Sequence, residues 1–476
     1  MKAIVNRTLT AILQESEQAS GIRVDNPATG ECLGFVPTLS TTQIYQVIEQ
    51  SHQGQTEWSA KPIKERCGIL KKWHQLIIEN QEDLSRLITL EQGKPLSAAQ
   101  AEVLYGASFI EWFAEEARRT YGETIPSPNG DRQLMTIRQP IGVASAITPW
   151  NFPLAMIARK AAPALAAGCS FIVKPAEKTP LSAYALAELA YQAGVPKDVL
   201  QVVLAIEPAE VGKVFTSHPL VRKLSFTGST RVGKLLMEQS AKDVKRTSME
   251  LGGNAPFIVF EDADIDLAVE GAVASKFRNS GQTCICSNRF YVHSKVYDEF
   301  IAKFSAKVAT LKVGNGLDED VVIGPLISLE AKRNIEQLVD GAIAQGAKRV
   351  TAPDNLDGCF MSPVILEDVK HDMDINRHEI FGPVAPIIRF DSEEQVLKMA
   401  NDTVYGLACY FYTENINRVW RMSERLDYGM VGINEATIST EVAPFGGVKH
   451  SGIGKEGAKQ GIDEYMNIKY LCLGRR

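Results

Sequence analysis

No apolar run in the sequence approaches the roughly 18 residues that a bilayer-crossing helix requires, and no membrane-spanning segment is expected. The first 20 residues mix Lys2 and Arg7 with Glu15 and Glu17 and hold no apolar core ending at a small-residue cleavage site, so no secretory leader is expected either. Cysteine is sparse. The 8 present, at 32, 67, 169, 284, 286, 359, 409 and 472, are too few among 476 residues for a disulfide scaffold and suit a reducing cytoplasm. An excess of charge is missing too: a formal net charge of -6 gives no global basic field, so neither nucleic acid nor a membrane surface is an expected partner. An acidic substrate would need a local basic pocket.

What is present is the composition of an ordinary globular protein, 45% hydrophobic, with length enough for more than one domain, each with its own core. From 141 to 240 short apolar runs alternate with helical patterns. IGVASAI (141–147), SFIVK (170–174), VLQVVL (199–204) and VRKLSF (221–226) read as buried strands, and the segments between them as helices, the first closed by Gly168. That pattern predicts a parallel sheet covered on both faces, and such sheets bind ligands at the carboxyl ends of their strands. Alternation resumes with PFIVF (256–260), a helix near 265–278, RFYVH (289–293) and a helix near 295–311, a second α/β unit. The stretch 41–119 is mostly helical by period. RQLMTIRQP (132–140) and EYMNIKYLCLG (464–474) alternate like arm strands, whose unpaired edge invites a partner subunit.

Several short motifs carry candidate chemistry, each with a plain structural alternative. VRKLSF running into TGSTRVG is a tight turn feeding a helix, where free amides at Gly228 and Ser229 could hold a pyrophosphate, or simply a β-turn-α connection. SFIVKPAE sets Lys174 and Glu177 just past a strand end; an acid there accepts from a ribose diol and repels a 2′-phosphate. In PWNFP, two prolines restrict the backbone around Asn151 and could aim its amide at one point. MELGGNAP puts Glu250 before a Gly-Gly step, where semi-burial would raise a carboxyl towards a useful general base or an ion pair would hold it. GQTCIC (281–286) has no second ligand pair for zinc: no CxxC follows, and the nearest histidine, His293, falls in a strand-like run, so no metal is expected. Disulfide, core filler and nucleophile stay open.

The joint order of PWNFP, KPAEKTP, FTGS, MELGGNAP, GQTC, EIFGP and PFGGVKHSG resembles the aldehyde dehydrogenase superfamily over nearly the whole chain. FRNSGQTCICSNRF, GINEATISTEVAPFGGVKHSG and GIDEYMNIKYLCLG resemble most its succinate-semialdehyde branch. The resemblance implies an α/β fold with a Rossmann-like NAD(P)-binding domain (1–119 and 141–250), a catalytic α/β domain (251–440), and a small β oligomerisation arm and C-terminal segment (120–140 and 441–476). It implies a homodimer or homotetramer. It makes Cys284 the nucleophile, Glu250 the base and Asn151 the oxyanion donor, and assigns cofactor contacts to Trp150, Asn151, Lys174, Pro175, Ala176, Glu177, Gly228, Ser229, Leu251, Glu379 and Phe381. Arg159, Arg278 and Ser439 would grip a distal carboxylate, Arg as a bidentate fork, supplying the basic pocket that the overall charge does not. Glutarate semialdehyde, one methylene longer than succinate semialdehyde, is the alternative substrate. A catalytically silent binding protein on the same fold is the alternative of another class. Glu250 disfavours CoA-acylating chemistry, and Glu177, where NADP-using relatives carry a small residue, implies NAD as preferred cofactor with NADP possible. In some relatives a cysteine placed like Cys286 bridges reversibly to the nucleophile, a redox switch whose alternative is a small packing residue.

Overall fold

The computed structural model describes residues 21–352 and 356–474. A 6-stranded sheet runs in the order Gly452–Ile453, Arg246–Glu250, Val221–Thr227, Val143–Ile147, Ser170–Lys174, Leu200–Val202. Neighbours are parallel except Gly452–Ile453, which is antiparallel to Arg246–Glu250. Ser170–Lys174 matches its expected span and is buried along its whole length, as a strand covered on both faces must be. The 199–204 run yields only Leu200–Val202. The helix Ala155–Ala167 ends at Gly168, whose φ of 96 lies in the left-handed region that glycine adopts without strain.

One face of this sheet packs against Ala155–Ala167 and Leu181–Ala193, and these against Ile63–Glu79 and Leu96–Glu116, in a core that includes Trp73, Phe109 and Phe113. The other face packs Ile44 and Ile48 of Thr41–Ala60 with Pro208–Ser217 and Thr230–Ala241, around Phe215, Phe226 and Leu236. The helical reading of 41–119 therefore describes the cover of the first sheet.

A 7-stranded sheet forms the second unit, in the order Lys348–Arg349, Val364–Glu367, Val384–Phe390, Ser287–His293, Ala255–Val259, Ala408–Tyr412, Met430–Ile433. It is parallel save for Lys348–Arg349. In the third sheet, Met466–Gly474 pairs antiparallel with all of Arg132–Pro140, which also pairs with Thr124–Ile125. Residues 441–474 divide between units: Gly452–Ile453 joins the first sheet and Met466–Gly474 the arm. Along the outer strand Ile468, Tyr470 and Leu473 are exposed. Among the described residues no helix is long and apolar enough to cross a membrane.

The turns after Val143–Ile147, Val221–Thr227 and Arg246–Glu250 leave the carboxyl ends of the first sheet, while Arg278–Gly281 leads into Ser287–His293 of the second. These loops meet at one cavity.

Candidate active site

The cavity has a volume of about 250 Å³, and Asn151, Arg159, Glu250, Arg278, Cys284 and Ser439 all line it. Three successive residues before the cysteine loop hold positive φ, Asn279 at 50, Ser280 at 57 and Gly281 at 76. Only glycine takes such a conformation freely, so the surroundings must impose it on the first two. A methyl group on Gly281 would overlap the Gly382 carbonyl, and one on Gly253 the carbonyl of Cys284 itself. The glycines of GQTC and ELGGN are thus required by close backbone approach.

Asn151 is fixed from several sides. Its Nδ2 donates to the Gln282 carbonyl over 2.9 Å. Its own carbonyl accepts from Asn279 Nδ2 at 3.0 Å and from the Lys94 ammonium at 2.7 Å. Lys94 also donates to Glu102 Oε2 at 2.6 Å, and Glu102 Oε1 accepts the amides of Leu154 and Ala155 at the start of the next helix. Lys94 and Glu102 escape the sequence reading, because a lysine and a glutamate on helical segments read as solvated; the Gly-Lys-Pro step after a helix is the one signal.

Burial pushes the Cys284 thiol up to about 12; nearby Arg159 opposes the shift, while Glu379 and Glu250 add to it. In this environment the sulfur is a thiol that must lose its proton on reaction. Glu250 is 2% exposed, more deeply placed than the semi-burial expected, and neither carboxyl oxygen has a hydrogen-bond partner. Burial first and then Glu456 raise it well above the ordinary carboxylate range, against the pull of Arg159, Lys160 and Lys455. Such a carboxyl is a poised proton acceptor.

Arg159 is 1% exposed, ion-paired through Nε to Glu456 and stacked 4.3 Å over the Phe445 ring. Glu456 also pairs with Lys160, whose ammonium donates to Thr227 Oγ1 at 2.6 Å. Arg278, at the end of Ile265–Phe277, lies 5.2 Å from the Phe152 ring. Glu456 is a further residue that the sequence reading misses: it lies 297 positions from Arg159, and no local pattern joins them.

An aldehyde dehydrogenase family model matches residues 13–471. The chain is 54% identical over 459 residues to a glutarate-semialdehyde dehydrogenase of Pseudomonas putida, covering 96% of this chain and 95% of the other. It is 54% identical over 462 residues to an NADP(+) succinate-semialdehyde dehydrogenase of Escherichia coli, covering 97% and 96%. A solved aldehyde dehydrogenase from Brucella melitensis biovar abortus matches with a TM-score of 0.97 at 54% identity, covering 100% of both chains. The chain belongs to the aldehyde dehydrogenase family.

This aldehyde dehydrogenase is accordingly an NAD(P)-dependent oxidoreductase acting on an aldehyde. Its residues fit a nicotinamide dinucleotide: Trp150, Gly228, Ser229, Leu251, Glu379 and Phe381 line the same cavity as Cys284. Trp150 and Phe381 meet edge to face at 5.5 Å. A methyl group on Gly252 would come within 2.6 Å of Glu379 Oε2, so the backbone there forms a cradle that a side chain would fill. Ser229 caps the helix Thr230–Ala241, accepting from the Val232 amide. The free amide expected at Gly228 is corrected: it donates to the Glu250 carbonyl at 3.1 Å, continuing the strand pairing of Thr227 with Glu250. Lys174, Pro175, Ala176 and Glu177 do not line the cavity; they follow the next strand, where Lys174 and Glu177 form an ion pair. Cys286 is not bridged to Cys284; its buried thiol sits 3.5 Å from the Lys276 carbonyl. Among the described residues no cluster of three or more His, Cys, Asp or Glu is placed to hold a metal.

Proposed function

We propose that the enzyme oxidises succinate semialdehyde to succinate, with Cys284 as nucleophile, Glu250 as base and Asn151 as oxyanion donor. The carrying observation is the buried Arg159 with the half-buried Arg278 and Ser439 on the wall of the Cys284 cavity, two guanidinium groups on one wall in a chain of net charge -6. Cys284 loses its proton to water and attacks the carbonyl carbon, forming the C–S bond as the carbonyl π pair moves to oxygen; the resulting oxyanion meets Asn151 Nδ2 and the Cys284 amide. A bound nicotinamide supplies the hydride acceptor. Cys284 is then acylated as a thioester, and Glu250 takes a proton from the water that hydrolyses it, releasing the acid and the thiol. Glutarate semialdehyde is the second reading, favoured by the P. putida relative's name, because one methylene discriminates by only about 1 to 3 kcal/mol.

NAD is the preferred cofactor in this reading and NADP the alternative. Glu177 supports it: a carboxylate next to Lys174 would repel a 2′-phosphate and already occupies the nearest cation. Three lipophilic side chains on the open arm edge, Ile468, Tyr470 and Leu473, support a homodimer or homotetramer assembled through that strand. Steady-state kinetics with succinate semialdehyde, glutarate semialdehyde and butanal, each with NAD and NADP, test substrate and cofactor together. Butanal as the best substrate would refute the arginine assignment, and a higher kcat/KM with NADP the role of Glu177.

A further inference from the structure

Two polar groups in the wall of the cavity lack a well-formed hydrogen bond inside the protein. Nη2 of Arg159 is buried with no hydrogen bond, its Nε side being turned to Glu456 and its face to Phe445. The hydroxyl of Tyr105 is likewise buried without a well-formed hydrogen bond, and the Arg159 guanidinium that approaches its oxygen leaves its O–H without an acceptor. Tyr105 stands on the helix Leu96–Glu116, lines the cavity with Arg159, and packs its ring edge-on against Phe109 at 5.0 Å. Burial raises its ionisation above the ordinary tyrosine value, with Arg159 near enough to oppose that shift, so the phenol keeps its proton at neutral pH.

Both groups are donors. A guanidinium cannot accept, and a phenol beside a cation turns its oxygen to the cation and leaves its O–H to give. Buried donors left unpaired are costly, so this end of the cavity is built for a ligand that brings acceptor oxygens and negative charge. A cation would be repelled by Arg159, and an alkyl end would leave both donors unpaired.

We propose that Tyr105 is a specificity-determining residue whose hydroxyl donates to the distal carboxylate of the semialdehyde beside Arg159 Nη2. Glu456 holds the guanidinium by its Nε side and so leaves that edge facing the substrate. The inference rests on the reading of Arg159 as the carboxylate ligand, and extends it to a residue on a different helix.

The test is Tyr105→Phe, which removes one oxygen and keeps the ring on Phe109. Succinate semialdehyde and butanal are compared in the variant and the unaltered enzyme, with succinate as a competitive inhibitor. For succinate semialdehyde kcat/KM falls about tenfold or more, mostly through KM, because a site built around hydrogen bonds loses heavily when one is removed. The inhibition constant of succinate rises by a similar factor, while kcat/KM for butanal is unchanged. An unchanged ratio of the two aldehydes in Tyr105→Phe overturns the role of Tyr105 and leaves that of Arg159 standing. Butanal preferred by the unaltered enzyme overturns the underlying reading and this inference with it. If Tyr105→Phe does not fold, as judged by its melting transition, Tyr105→Met fills similar volume without a donor and carries the same expectations.

Discussion

The ammonium of Lys94 donates to the backbone carbonyl of Asn151 over 2.7 Å from a side chain with no exposure to solvent. Its countercharge, Glu102, simultaneously caps the helix that begins beside Asn151. Removing one member of a buried pair leaves the other uncompensated, at about 3 to 5 kcal/mol. Lys94→Met is therefore expected to lower the unfolding free energy from denaturant titration by that amount, and Lys94→Met with Glu102→Gln to recover much of it. The double variant should still acylate slowly, since Asn151 has lost its anchor; full pre-steady-state acylation in that variant would show that Lys94 serves folding alone.

Gly446 bounds the base. A methyl group there would lie 2.8 Å from Glu250 Oε1 and 2.8 Å from the Gly454 carbonyl. Gly446→Ala should displace the Glu250 carboxyl and slow thioester hydrolysis about tenfold or more, with hydride transfer less affected. A larger burst of reduced cofactor followed by a slower steady state is the expected signature.

Burial raises Glu379 from the ordinary 4.5 to about 7, while the Gly253 amide pulls the other way. Between these values the folded chain holds a proton that the unfolded chain releases, so this group favours folding below about pH 4.5 and loses that contribution as the pH rises through about 7. Glu379→Gln removes the titration. Melting temperatures of the two proteins from pH 4.5 to 7.5 should diverge in favour of the variant as the pH rises, by up to about 3 kcal/mol of stability; parallel curves would place the carboxyl in a more polar setting.

Oxidation is the second condition to vary, after pH. The Cys286 thiol would have to leave the Lys276 carbonyl to reach Cys284, and a bridge across so short a loop is strained and easily reduced. Peroxide inactivation that dithiothreitol reverses in the unaltered enzyme, and that is lost in Cys286→Ala, is the expected outcome. Equal sensitivity and reversibility in both would leave Cys286 as packing.

The first sheet was legible because strands buried on both faces leave continuous apolar runs, and Ser170–Lys174 fell where its five residues predicted. The strands from Val364 to Ile433 of the second sheet lie beyond the part of the sequence whose alternation was assigned. Cys284, Glu250, Asn151, Arg159, Arg278 and Ser439, scattered along the sequence, line one cavity. Lys94, Glu102, Tyr105 and Glu456 were not legible. Each takes its meaning from a partner brought close by the fold, and a lysine or glutamate on a helical pattern carries no local mark of burial.

The pairing of Met466–Gly474 with Arg132–Pro140 joins segments separated by more than 300 positions. Until Met466–Gly474 is in place, Arg132–Pro140 has one hydrogen-bonding edge uncovered along its whole length. Contacts of such long range are slow to close, and the open ribbon is a template for wrong partners in the meantime. The arm is thus closed by the contact that forms latest by distance along the chain, and the strand that closes it keeps an open edge of its own among the described residues.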